Sequence, residues 1–195
     1  MKLTVSINLG GHSFNIDEDA FDELKAYLKN LETHFAGEES SAEIMSDIES
    51  RMAELFKTRL GFKQVISVDD VRHVISVLGN PEDISDNEPA YSGSGHRSGR
   101  YRRMYRNPDQ RIIGGVCSGL GAYFGVEPVI MRVLFVILAL FGALGIIIYL
   151  ILYIVLPEAK TTAQKIEMKG NPVNIQNITD TVKKEFNNVR RSMKL

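Results

Sequence analysis

In the first 80 residues, apolar positions first recur at every second residue and then at spacings of three and four. Apolar side chains alternate with polar ones on either side of Gly10-Gly11, which is typical of a β-hairpin. After Asp17, apolar positions recur at spacings of three and four, which predicts three amphipathic helices; capping boxes at residues 40–43 and 67–70 precede the second and third. Val65 and Ile66 predict a short strand. We therefore expect residues 1–84 to form a small soluble α+β domain, a hairpin plus helices.

A different pattern occupies residues 133–156, where no side chain is charged. As one helix this segment would be roughly 36 Å long, enough to cross a hydrocarbon core of about 30 Å. Pro128 suits the first turn of such a helix, and Pro157 would end it. The sequence therefore predicts a single transmembrane helix over about 128–156 and a second half of the chain that is a mostly α membrane segment.

Residues 112–125, IIGGVCSGLGAYFG, are rich in glycine and raise the possibility of a phosphate-binding loop. The spacing of Gly119, Gly121 and Gly125 does not match G-x-G-x-x-G, and no lysine follows the glycines as in a P-loop. At helical period one face is apolar and the rest is small, which predicts a short Gly-rich amphipathic helix that packs closely on lipid, on the following helix or on another copy. The candidate packing and membrane-interface residues are Gly115, Val116, Cys117, Gly119, Leu120, Tyr123, Phe124, Gly125, Pro128 and Arg132.

Charge divides the chain into two halves. Residues 1–90 hold 8 basic and 18 acidic side chains, whereas the remainder is basic. Residues 85–101 are rich in Ser, Gly and Arg and predict a flexible linker. A basic run extends across the end of this linker and consists of Arg97, Arg100, Arg102, Arg103 and Arg106. Anionic lipid headgroups are the favoured partner of these arginines, and nucleic acid or the acidic domain are the alternatives.

The tail at residues 160–195 contains one further amphipathic pattern, which predicts a helix over about 177–193. Such a helix could lie on a membrane surface or pair with a partner. The distribution of arginine and lysine around the predicted span favours a cytoplasmic N-terminal domain.

Few residues suggest catalysis or metal binding. The four histidines are scattered without a metal-ligand spacing, and Cys117 is the single cysteine. We therefore expect no catalytic, cofactor or metal site, no small-molecule substrate, and a protein that is not an enzyme.

The segment from residue 102 to residue 159 resembles the phage shock protein C (PspC) domain. The resemblance rests on Tyr105-Arg106, Asp109, the run RIIGGVCSGLGAYFGVEP, Arg132 and the apolar stretch ending in YIVLPE. It implies a bacterial inner-membrane protein that regulates the envelope-stress response without catalysis, through contacts with lipids and with PspA- or PspB-like proteins. A homo-oligomer is also possible. The alternative function is that of a membrane-tethered transcriptional regulator that binds nucleic acid through Arg97 to Arg106. We do not expect a nucleic acid partner, because the sequence contains no evident helix-turn-helix.

Overall fold

The computed structural model describes residues 3–61, 63–83, 102–109, 111–140 and 144–193. The chain divides into two compact units. The first combines Met1–Ser94 with Val173–Leu195, and the second is Gly95–Pro172. The predicted linker at 85–101, including Arg97 and Arg100, lies outside the described residues.

A small sheet opens the first unit. Its strands are β1 (Thr4–Leu9), β2 (His12–Asp17) and β3 (Val65–Ile66), in the order β1-β2-β3. The first two are antiparallel, with Leu9 opposite His12, so Gly10 and Gly11 form the two-residue turn that the sequence predicts. Both glycines have positive φ, and a Cβ at Gly10 would lie 2.9 Å from the Glu49 carbonyl oxygen. The hairpin turn therefore depends on glycine for its conformation and at Gly10 also for space.

Three helices complete this unit: α1 (Glu18–Phe35) and α2 (Ser41–Leu60) pack on the sheet, and α3 (Val68–Leu78) packs on α1 and α2. Their inward faces contain the apolar side chains that the helical spacing picks out, among them Leu24, Ile48 and Phe56, which are buried. The capping box at Ser67 is present, whereas Ser40 makes no side-chain cap hydrogen bond, so the box predicted there is wrong. Ser40 is buried at the turn before α2, and its backbone carbonyl accepts the hydrogen bond from the Ile44 amide.

The tail returns to this unit. Its helix, α8 (Ile175–Met193), begins two residues before the predicted start and packs on α2. Ile175, Ile178 and Val182 are buried, and Lys183 forms an ion pair with Glu38 at 2.8 Å. The N- and C-terminal parts of the chain thus share one folded unit.

The second unit is helical in its described part, with α4 (Val116–Phe124), α5 (Pro128–Leu140), α6 (Leu144–Val155) and α7 (Thr162–Met168). Among the described residues, no helix is both long and apolar enough to cross a membrane. The prediction of a single transmembrane helix over 128–156 is therefore wrong, and so is the fold class that included it. The apolar run instead forms two helices, the longer of which extends only about 20 Å.

A glycine allows the two helices of the apolar run to pack closely. A Cβ at Gly145 would lie 2.7 Å from the Ala139 amide nitrogen, so the backbones of α5 and α6 touch where they meet. Further along, the rings of Phe135 and Tyr149 pack edge to face with centroids 5.5 Å apart. Contacts that pair later residues of α6 with earlier residues of α5 define an antiparallel helical hairpin. The absence of charge from residues 133–156 does not distinguish this hairpin from one long helix.

Candidate functional site

The glycine-rich helix α4 lies against the segment formed by residues 105–107. A Cβ at Gly119 would overlap the Tyr105 carbonyl oxygen, and a Cβ at Gly115 would overlap that of Asn107. Ser118 donates a hydrogen bond to the same Asn107 oxygen at 3.1 Å. The glycines of α4 therefore permit helix and segment to touch backbone to backbone.

Two left-handed glycines set the ends of α4. Gly115 precedes the helix with φ +76° and Gly125 follows it with φ +72°. Val116 and Leu120 are buried in a cluster with Leu156 at the end of α6. The predicted amphipathic helix is thus present, and its apolar face meets the hairpin.

Arg106 connects the segment before α4 to the chain at the end of α6. Its amide donates to the Pro157 carbonyl at 2.8 Å, and its own carbonyl accepts from the Ala159 amide at 2.9 Å. Its guanidinium donates to the Leu156 carbonyl at 3.0 Å and stacks over the Tyr153 ring at 4.4 Å. Arg106 therefore holds the segment before α4 against the end of the hairpin.

The other described arginines of the basic run also have contacts within the unit. Arg102 donates to the Tyr123 carbonyl at 2.6 Å. Burial raises the pKa of Tyr105, and a hydrogen bond from Arg103 opposes that effect. Contact of the basic run with lipid stays a prediction, while these bonds show that Arg102 and Arg106 also contribute to the fold.

A cavity of about 430 Å³ opens between α4 and the hairpin. Its wall is mainly apolar and includes Phe135 and Ala139, while Arg111 and Arg132 supply its charged groups. Cys117 also lines it. Burial raises the pKa of the Cys117 thiol, and the nearby charge of Arg132 opposes the increase. The sequence-predicted residues Cys117 and Arg132 are thus brought together at one cavity.

The outer surface of the hairpin is apolar and exposed. Within the described residues α5 has no buried side chain, and in α6 only Gly145 is buried. Ile137, Ile147 and Ile154 are 46%, 54% and 81% exposed. Of the other predicted interface residues, Phe124 is also exposed, whereas Tyr123 is half-buried and Pro128 begins α5. Contiguous apolar surface of this kind marks a site of contact with a protein or a membrane.

The site offers little that suggests a reaction. In the described part of the chain, no three histidine, cysteine, aspartate or glutamate side chains lie close enough together to hold a metal ion. The sequence patterns did not indicate residues 105–107 as the packing partner of α4, since a short segment outside helices and strands has no periodic pattern. The absence of side chains at Gly115 and Gly119 indicated a close neighbour but did not identify it.

These features define a small helical domain in which a glycine-rich helix supports an exposed apolar hairpin. Residues 102–159 match the family model described as PspC domain, so this part of the chain is a PspC domain. The match confirms the family expected from the sequence, and it indicates a phage-shock-type stress-response protein. No curated protein and no solved structure matches the chain.

Proposed function

We propose that this chain is a non-enzymatic stress-sensing and regulatory protein of the bacterial inner membrane, which acts through lipid and protein contacts. The exposed apolar surface of the α5–α6 hairpin is the observation that supports the proposal most directly. Burial of apolar surface is favourable by about 25 cal/mol per Å², which gives this surface a strong tendency to leave water. The hairpin would bind at the lipid interface without a single-span anchor.

The charges at the base of the hairpin support an anionic lipid partner. Arg132 lies in the second turn of α5, Arg111 precedes α4, and Lys160 follows the end of α6. Each positive charge near an anionic leaflet contributes about 1 kcal/mol to binding. Arg111 also lies 3.6 Å from Glu158, which offsets part of its charge.

The shared unit formed by α8 and the N-terminal domain supports a topology with both chain ends on one side of the membrane. We assign that side to the cytoplasm because basic residues flank the apolar hairpin. A cysteine placed at either terminus of a Cys117→Ser chain tests this assignment. In intact spheroplasts, neither terminal cysteine should react with a membrane-impermeant maleimide until the cells are lysed. Reaction of either terminus before lysis would contradict it.

Vesicle flotation of the full chain tests the lipid contact. Ile137→Glu and Ile147→Glu place a charge on the outer surface of the hairpin and should weaken flotation with phosphatidylglycerol vesicles. Val77→Glu is the matched control, since Val77 is an exposed apolar side chain, 37% exposed, in the other unit. Equal flotation of all three variants and the wild type would refute the role of the hairpin.

Partner capture tests the regulatory part of the proposal. The protein partners we propose are PspA- or PspB-like proteins, or a second copy of this chain. Crosslinking in cells under membrane stress should recover such a partner, and deletion of the gene should reduce stress tolerance. Unchanged tolerance together with no membrane or coiled-coil partner would contradict the proposed function.

A further inference from the structure

We infer that the cavity between α4 and the α5–α6 hairpin binds one acyl chain of an anionic phospholipid, with the phosphate held by Arg111 and Arg132. The inference rests on the proposed lipid contact of the hairpin and specifies what that contact recognises.

The size and wall of the cavity suit an acyl chain. Its volume of about 430 Å³ lies within the range of about 300–1,000 Å³ typical of small-molecule sites. Phe135, Val136, Ala139 and Ile146 supply apolar wall from both helices of the hairpin. An apolar cavity of this kind offers few hydrogen-bonding groups, so it favours a hydrocarbon chain over a polar metabolite.

The charged groups at the cavity suit an anion. Among the described residues, Arg111 and Arg132 are the ionised side chains of its lining, and none of the described lining side chains is acidic. Glu158 faces Arg111 from the segment after α6, at 3.6 Å. Arginine binds phosphate in a bidentate geometry, and the apolar wall lowers the local dielectric. An anionic headgroup joined to an acyl chain matches both parts of the site, whereas a neutral lipid matches only one.

Cys117 supplies a probe inside the cavity. It is the single cysteine of the chain, so a neutral maleimide reports on this position alone. Dodecyl phosphate below its micelle concentration should slow the labelling of the full chain, by roughly tenfold at about ten times its dissociation constant. Dodecyl maltoside and inorganic phosphate should each protect far less. Equal protection by the neutral detergent, or by phosphate alone, would overturn the inference.

Two variants test the two parts of the site, each with a control. Ala139→Phe fills the cavity and should abolish the protection, whereas Leu134→Phe adds the same ring to an exposed position outside the lining. Arg132→Gln should abolish the preference for dodecyl phosphate, whereas Lys160→Gln should retain it. Because Arg132 also affects the thiol directly, each variant is compared with and without ligand. Retained protection in both Ala139→Phe and Arg132→Gln would refute the site.

The same labelling on vesicles separates this inference from the proposed function. Phosphatidylglycerol vesicles should both float the chain and protect Cys117, and phosphatidylcholine vesicles should protect it less. Flotation with equal protection by both lipids would overturn the cavity inference and leave the lipid contact of the hairpin standing. Absence of flotation would contradict the lipid contact itself, whatever dodecyl phosphate does to the isolated chain.

Discussion

Replacing Gly119 with alanine perturbs the closest contact of α4. The added Cβ would overlap the Tyr105 carbonyl oxygen and lie 3.3 Å from the Arg106 Cα. Both neighbours belong to the backbone, and that segment is fixed in place by the hydrogen bonds that Arg106 donates to the Pro157 carbonyl and accepts from the Ala159 amide. The clash therefore has no flexible side chain to absorb it, and α4 must move away from the segment.

The expected cost follows from two opposing effects. Overpacking of this kind destabilises by about 1–3 kcal/mol, and a backbone overlap belongs at the upper end of that range. Alanine favours a helix over glycine by about 1 kcal/mol, which offsets part of the cost. The net loss is about 1–2 kcal/mol, which corresponds to a factor of roughly 5–30 in the opening equilibrium of α4.

Labelling of Cys117 with a thiol reagent too large to enter the cavity measures this opening, because Cys117 is half-buried in α4 and is the single cysteine of the chain. Gly119→Ala should label faster than the wild type by about that factor of 5–30. Gly37→Ala is the control, since a Cβ at Gly37 meets nothing within 4 Å. If Gly119→Ala labels at the wild-type rate while both proteins label equally in urea, the close-packing account of the glycines is wrong.

Further predictions concern both units. Asp70→Asn should reduce the stability of the N-terminal unit by about 1.5–3 kcal/mol at pH 7, the usual value of a hydrogen bond to a charged group. Burial raises the pKa of Asp70, but hydrogen bonds from Ser67 and Arg59 and the charge of Lys63 outweigh it and lower the pKa overall. The contribution is thus complete above the unfolded pKa and disappears as pH falls through the folded pKa, so urea melts of the two proteins should converge in acid. Gly10→Ala should reduce the stability of the N-terminal unit by about 2–4 kcal/mol and Gly11→Ala by about 1–2 kcal/mol, since both glycines have positive φ but only Gly10 has a close neighbour. Similar losses of stability for the two variants in urea melts would contradict this interpretation. Phe56→Ala should cost about 3–5 kcal/mol in the same melts, because its ring is fully buried; a loss below 1 kcal/mol would place that ring outside the core.

The N-terminal elements were predictable because each has a local signal. The glycine pair and the alternation of apolar residues indicate the hairpin of β1 and β2, and the spacing of residues such as Leu24 and Ile48 indicates α1 and α2. Side-chain caps were less predictable, since Ser40 has the residue type of a cap without the hydrogen bond. The capping motif shows that suitable side chains are present. Whether the hydrogen bond forms depends on the backbone conformation that leads into the helix.

The second unit was harder to predict because hydropathy alone does not show whether an apolar run continues as one helix or turns back as two. The apolar run 133–156 satisfies the length rule for a span, yet it forms two helices whose backbones lie close together at Gly145 and Ala139. Small residues in the middle of an apolar run permit either close packing of two helices within a chain or packing between chains. Of the residues that line the candidate cavity, the sequence predicted Gly115, Cys117 and Arg132 as packing or interface residues, but it did not predict the fold that joins them.

The contacts of α4 explain how the PspC domain could respond to its surroundings as one body. Within this unit α4 packs on α5, α6 and α7, and Val116 and Leu120 share one buried cluster with Leu156. Arg106 ties the segment under α4 to the chain just after α6 through the Pro157 and Leu156 carbonyls. Since both attachments involve the C-terminal end of α6, a shift of the hairpin must either carry α4 and this segment with it or break these contacts. The close backbone approach at Gly119, where even a Cβ would not fit, leaves little space for sliding, so the contacts favour a two-state response over a gradual one.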